Sequence, residues 1–201
     1  MLTCLIFLAI CSAGGVLGAS VFNKKYEEML PITCSAMIIL LFLCGIFGHL
    51  EVGVILILCL GLGMYIFSAI WVIRKKNFRE CLNNLVTPGL CVFLLFALLF
   101  LFLDYGKLAT AWDEFSHWAD IVKVMTMLDD FGTNPLSFSM FQSYPPAMAL
   151  FEYLCQRIHL YLNGSNQFCE WLLFYSFQLY LVSFFLPFLK GITFKKIGII
   201  L

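Results

Sequence analysis

Five long apolar runs dominate the sequence, and each is long enough to cross a membrane as a helix. A helix crosses the hydrocarbon core of a bilayer, about 30 Å thick, in roughly twenty residues. The runs cover 2–22, 32–50, 52–73, 85–103 and 169–189. Backbone amides in lipid have no hydrogen-bonding partner outside their own helix, so all five runs are predicted to be α-helical.

Both ends of the chain are apolar as well. The first run has no basic residue ahead of it and no small-residue cleavage site after it, so it is predicted to be a membrane anchor and not a removed signal peptide. A sixth run begins at Ile197, and the sequence ends at Leu201, far short of a crossing. We expect a C-terminal half or a partner subunit to complete this span.

The segment 104–168, between the fourth and fifth runs, is too long for a simple connector. It is predicted to contain a helix over 113–128, with Asp113 as its N-cap and an apolar stripe that lies in the membrane interface. That stripe comprises Phe115, Trp118, Val122 and Met125. A second helix is predicted from Pro146 to about Tyr161, because proline suits the first helical turn.

The predicted fold is therefore all-α: a polytopic transmembrane helical bundle with an extracytoplasmic loop that carries two amphipathic, juxtamembrane helices. Its first part, 1–84, holds three spans and a basic cytoplasmic loop. Its second part, 85–201, consists of the span 85–103, the loop 104–168, the span 169–189 and the start of a further span at 197–201.

The composition agrees with a membrane protein. Hydrophobic residues make up 62% of the chain and charged residues 12%, against about a quarter charged in soluble domains. The formal net charge is zero, so nothing suggests a nucleic-acid partner. Most of the nine cysteines lie within apolar runs as small hydrophobic residues. An oxidising compartment would allow Cys155 and Cys169 to pair.

The charged residues are divided sharply between two sets of connecting segments. The segments 23–31, 74–84 and 190–196 carry nine of the twelve basic residues. The other set, 49–51 and 104–168 with Glu170, carries nine of the twelve acidic residues. Basic loops remain in the cytoplasm, so the acidic set is predicted to be extracytoplasmic, with the N-terminus on the same side.

The candidate chemistry begins with two adjacent carboxylates, Asp113 and Glu114, shortly after the fourth span. They are predicted to lie near the outer membrane surface, at the depth of a lipid phosphate. A carboxylate beside a like charge and an apolar surface has a raised pKa, which prepares it to act as a general base. Alternatively, the pair caps a helix and stabilises its positive end.

Three neighbouring side chains each allow two interpretations. His117 shares a helix face with Asp113 and Glu114 and would bind a metal with them, or it is a structural histidine. Trp112 and Trp118 would stack on a sugar ring, or they anchor the protein at the membrane interface. Further along the chain, Glu152 and the pair Asp129–Asp130 are interpreted as solvated helix positions.

The motif Asp-Glu-x-x-His-Trp followed about thirty residues later by Tyr-Pro-Pro resembles the protein O-mannosyltransferases (family 39-like) and their relatives among the GT-C-type membrane glycosyltransferases. It is also similar to a Trp-Asp-Glu-Phe-Ser-His-Trp segment of bacterial polytopic membrane proteins, so we expect a multi-pass protein of a bacterial plasma membrane. The resemblance covers roughly residues 85–190. The matching residues are Asp113, Glu114, His117, Trp118, Tyr144, Pro145 and Pro146.

The resemblance implies an inverting transferase that moves a sugar from a polyprenyl-phosphate donor to an acceptor hydroxyl outside the cytoplasm. Asp113 would be the base, and Glu114 would position the acceptor or a divalent cation. His117 and Trp118 would contact substrate, and Tyr144, Pro145 and Pro146 would form a wall of the site. Besides this donor, the implied partner is membrane lipid.

The chain departs from the family pattern at the phosphate site. A basic residue often follows the Pro-Pro pair in the mannosyltransferases, whereas Ala147 follows it here. Arg157 is the nearest downstream candidate for binding the phosphate. Its alternative interpretation is an arginine that reaches up to lipid head groups.

Two other classes of function are consistent with the sequence. A transporter or channel component would carry ionisable residues within its spans, and the five apolar runs contain almost none. A non-catalytic membrane partner is the third interpretation, favoured if the chain ends at Leu201.

Overall fold

A computed structural model describes residues 1–113, 118–142, 146–163 and 168–192, and the regular secondary structure of this part is entirely helical. In chain order the helices are α1 (Leu2–Val21), α2 (Tyr26–Ile46), α3 (Leu50–Lys75), α4 (Phe78–Leu85), α5 (Pro88–Asp104), α6 (Ala119–Leu128), α7 (Pro146–Asn163) and α8 (Trp171–Phe185), which continues as a 3-10 helix (Leu186–Leu189). The predicted all-α bundle is confirmed.

Four of these helices are long and apolar enough to cross a membrane: α1, α2, α3 and α8 with its 3-10 extension. Helices α4 and α5 meet at a bend of 51° and together would form a fifth span. The bend lies at Thr87, which caps α5 by accepting a hydrogen bond of 3.2 Å from the Leu90 amide, and Pro88 is the first residue of α5. Within the described residues, four or five helical segments are thus long and apolar enough to cross a membrane, which indicates a membrane protein.

Helix α2 begins six residues earlier than the run predicted at 32–50. The Glu28 side chain accepts a hydrogen bond of 3.2 Å from the Lys25 amide and so caps the first turn. The helix then continues through Pro31. As a result Glu27, which the sequence assigned to a cytoplasmic loop, belongs to an apolar helix and is fully buried.

The acidic segments come together at one end of the bundle, here called the acidic end, formed by Glu51 and the described residues of 104–168. The Leu50 amide donates to the Asp129 carbonyl over 3.3 Å. The Tyr161 hydroxyl lies 3.1 Å from a Glu51 carboxylate oxygen. The two acidic segments thus share one end of the molecule, as the charge pattern predicts.

The described basic segments meet at the opposite end. Lys190 forms an ion pair of 2.5 Å with Glu28, and the Asn77 amide donates to the Ser20 carbonyl over 3.3 Å. The grouping of the loops agrees with alternating crossings. Which end faces the cytoplasm stays a prediction.

Helix α7 lies inside the bundle and packs against α1, α2, α6 and α8. All eight residues of 149–156 are buried. The Phe151 ring lies 5.2 Å from Phe7 and 5.1 Å from Tyr180, and the Thr3 hydroxyl lies 3.1 Å from the His159 ring. A helix that is buried on every side belongs to a protein core, so α7 is embedded where a juxtamembrane helix was predicted.

Helix α6 also faces protein where the sequence predicted the membrane interface. Val122 and Met125, from the predicted apolar stripe, are completely buried, and α6 packs against α7. The prediction that the stripe lies in the lipid interface is therefore wrong for these two residues. Of the other two stripe residues, Trp118 is 45% exposed and Phe115 lies outside the described residues.

Candidate functional site

A cavity of about 370 Å³ lies between the start of α6, the first turns of α7 and the first half of α8. Its walls are mostly apolar and aromatic, and one lining residue is ionisable. The described lining residues are Ala109, Trp118, Ala119, Met148, Glu152, Leu173, Phe174 and Phe177. Mostly apolar clefts of this size with few polar groups are the usual form of small-molecule sites.

Glu152 is the ionisable residue of the cavity, and only 7% of it is exposed. Its neighbours one helical turn away are Met148, Ala149, Cys155 and Gln156, three of which are apolar, so it projects from a mostly apolar face of α7. Among the residues that the structure describes, it has no hydrogen-bonding or ionic partner. The interpretation of Glu152 as a solvated position is therefore wrong, and its apolar neighbours at helical spacing were the signal.

Burial changes the acidity of Glu152. Removal of the carboxylate from water disfavours its charged form, which raises its pKa from 4.5 to about 8. At neutral pH a substantial part of Glu152 is protonated while the cavity is empty. The protonated carboxyl can thus donate a hydrogen bond, and the ionised carboxylate can pair with a cation.

Trp118 connects the first sequence motif to this cavity. Its side chain is 45% exposed, and it stands immediately before α6, where it lines the cavity with Phe174 and Phe177. Met148 and Glu152 line the same cavity from α7, which begins at Pro146 of the second motif. Segments that follow the two motifs thus border one space.

The other predicted site residues have different fates. Asp113 is exposed and has helical backbone together with Trp112, so it lies one residue inside a helix and is not the predicted N-cap. Pro146 is partly exposed as the first residue of α7. The predicted site residues that lie outside the described part of the chain are Glu114, His117, Tyr144 and Pro145.

Arg157 does not reach the Glu152 cavity. Its guanidinium forms a charged hydrogen bond with Asp129 and lies 3.6 Å from Glu51, and 13% of the side chain is exposed. This contradicts the alternative in which Arg157 reaches lipid head groups. It lines a second cavity of about 480 Å³ with Lys123, Thr126, Met127, Asp129, Leu160 and Phe168.

Asp129 is a paired carboxylate, although 32% of its side chain is exposed. It accepts a hydrogen bond of 2.7 Å from the Tyr153 hydroxyl in addition to that from Arg157. Burial raises the pKa of Asp129, and these two donors oppose the rise. Arg157 is therefore neutralised by acidic neighbours, which weakens its candidacy as a phosphate-binding residue.

The described residues bear on two predictions, those of a metal site and of a disulfide. Within the described ranges, no three His, Cys, Asp or Glu side chains are close enough together to hold a metal ion. Cys155 and Cys169 are free thiols. The Gln156 side chain fixes the backbone at Cys169 through hydrogen bonds of 2.5 and 3.2 Å.

Comparison of the chain with protein-family models, with curated protein sequences and with solved structures finds no match. The function is therefore inferred from the residues and the cavity.

Proposed function

We propose that this protein is a membrane glycosyltransferase that moves a sugar from a polyprenyl-phosphate donor to an acceptor hydroxyl on the extracytoplasmic side. The observation that supports the proposal is the shared cavity. Trp118 from the first motif and Glu152 from the helix that opens with the second motif line one apolar space at the acidic end. Because α6 follows the first motif and α7 begins at the second, the packing of these two helices brings both segments to one cavity.

The proposed reaction needs one base and one leaving group. An Asp113 carboxylate oxygen takes the proton of the acceptor hydroxyl as its oxygen attacks the anomeric carbon. The bond between that carbon and the phosphate oxygen breaks, and the polyprenyl phosphate leaves with the electron pair. Asp113 is exposed and precedes the cavity-lining residue Trp118 by five positions, so we place the acceptor hydroxyl beside its carboxylate.

The proposal is tested with the purified full chain in lipid nanodiscs that contain a polyprenyl-phosphate sugar. We expect Asp113→Asn to lower the release of polyprenyl phosphate by about 100-fold or more, since general bases contribute that much. Asp120→Asn is the matched control, because Asp120 is a nearby carboxylate on α6 outside the cavity lining. Native mass spectrometry of the protein from its own membranes would identify a bound donor.

Equal release by the wild-type protein and Asp113→Asn would overturn the assignment of the base. Absence of turnover, together with absence of a bound phospho-sugar lipid, would overturn the transferase itself.

A transporter is the second candidate, because carboxylates are buried among the described residues of the bundle. Glu152 lines the cavity, and neither carboxylate oxygen of the fully buried Glu27 has a hydrogen-bonding partner among the described residues. Ionisable groups at such positions often mark a transport pathway. Flux of an organic cation into proteoliposomes that Glu152→Gln abolishes, without any sugar transfer, would favour this candidate.

A further inference from the structure

We propose that the cavity bordered by Glu152 binds an organic cation, an amphiphilic molecule whose ammonium group pairs with the Glu152 carboxylate between aromatic side chains. The inference goes beyond sugar transfer. If the transfer proposed above is correct, the cation belongs to the acceptor molecule. The binding itself does not depend on transfer.

Charge complementarity favours a cationic ligand. Glu152 is more than nine-tenths buried, and within the described residues no cation, hydroxyl or amide satisfies it. A buried carboxylate without a partner is costly, so it either takes up a proton or pairs with an opposite charge. A ligand that carries a positive charge supplies the missing partner.

The aromatic lining of the cavity also favours a cationic ligand. Trp118, Phe174 and Phe177 border the same cavity as the carboxylate. Aromatic rings attract cations through their quadrupole, and the attraction is larger where water is excluded. A site that combines rings with one carboxylate is therefore suited to a substituted ammonium group, which is weakly hydrated and has an apolar surface.

Other classes of ligand fit the lining less well. A phosphate or carboxylate would be repelled by an ionised Glu152, and none of the described lining residues is basic. Among the described lining residues, a sugar would find only the Glu152 carboxyl for strong hydrogen bonds, so in the proposed transfer this cavity holds the acceptor and not the sugar. A purely apolar ligand would leave Glu152 buried without a partner, at an energetic cost.

The size and position of the cavity also suit an amphiphile. A space of about 370 Å³ accommodates a small organic molecule. The lining residue Phe177 is 37% exposed on α8, one of the spanning helices, so the cavity borders the apolar surface of the bundle. An apolar tail can therefore extend toward lipid while the cationic group stays with Glu152.

The test measures binding of benzyltrimethylammonium to the purified full chain in nanodiscs by titration calorimetry, with empty nanodiscs as the blank. Neopentylbenzene is the matched neutral molecule, because it has the same shape with a carbon atom in place of the ammonium nitrogen. We expect the wild-type protein to bind the cation at least about tenfold more tightly than the neutral molecule, as an ion pair of modest strength would give.

Glu152→Gln keeps the size of the side chain and removes its charge. We expect this variant to bind the cation about tenfold more weakly and the neutral molecule with unchanged affinity. Phe177→Leu, at the partly exposed edge of the cavity, should weaken cation binding by several-fold. Asp120→Asn should remain within about twofold of the wild-type protein, because it changes only the long-range charge.

Two results would overturn the inference: similar wild-type affinities for the charged and the neutral molecule, or full cation affinity in a folded Glu152→Gln protein. Neither result depends on Asp113 or on a sugar donor. A protein that transfers sugar but does not distinguish the two molecules would retain the proposed function and lose this inference.

Discussion

Glu152 stays protonated over a pH range in which an exposed glutamate is ionised. In the unfolded chain its carboxyl loses the proton above a pH of about 4.5, whereas burial raises the folded-state pKa to about 8. The folded protein therefore binds more protons than the unfolded chain between these values. The free energy of unfolding that Glu152 contributes is present at low pH and decreases as pH rises toward 8.

This dependence gives a first prediction. Between pH 5 and pH 8 the wild-type protein should lose stability relative to Glu152→Gln, by on the order of a few kcal/mol, since one pKa unit corresponds to 1.36 kcal/mol. The titratable neighbour Cys155 does not interfere, because burial raises the pKa of its thiol well above this range. Unfolding temperatures of both proteins at pH 5, 6.5 and 8 in one detergent provide the check, and parallel curves would contradict it.

At the scale of elements, α1 and α2 approach each other through a row of glycines. A Cβ atom at Gly14 would overlap with the Thr33 side chain, and one at Gly15 would come within 2.5 Å of the Tyr26 ring. Small residues four apart, here Gly14 and Gly18, let membrane helices pack closely. The close contact of α1 and α2 thus depends on the absence of side chains at these positions.

Gly14→Ala should therefore destabilise the bundle, by about 1–3 kcal/mol, as overpacking typically does. The double variant Gly14→Ala with Thr33→Ala should recover part of that loss, because the overlapping hydroxyl is removed. Gly63→Ala on α3 is the control, since nothing lies within 4 Å of its added Cβ. Thermal unfolding of the four proteins measures the effect, and equal losses at Gly14 and Gly63 would refute this account of the contact.

The elements also show how far the sequence could predict the structure. Hydrophobic run length predicted the spans, because lipid leaves the backbone no alternative to a helix. The polar residues Glu152, Gln156 and Arg157 made α7 look like a surface helix. Their burial depends on partners distant in sequence, such as the Cys169 backbone and Asp129, or on a cavity that no local pattern reveals.

At the scale of the whole molecule, the two ends of the bundle are predicted to face different compartments. An epitope inserted after Gly106 should be accessible to antibody on spheroplasts, because the charge rule places the acidic end outside the cytoplasm. The same epitope inserted after Lys76 should become accessible only after permeabilisation. Gly106 lies in an exposed turn after α5, the kind of position at which insertions are usually tolerated. Reversed accessibility would invert the topology and place Asp113 in the cytoplasm.

The central position of α7 has a consequence for biosynthesis. Thr3 and Phe7 of α1 contact His159 and Phe151, so α1 packs against a helix that is synthesised much later. Thr3 and His159 are 156 residues apart, an interval of roughly 8–30 s at ordinary rates of translation. During that time the surface of α1 that α7 later covers remains uncovered within the bilayer. A ribosome-bound intermediate should therefore depend on the insertion machinery, which would shield α1 until α7 arrives.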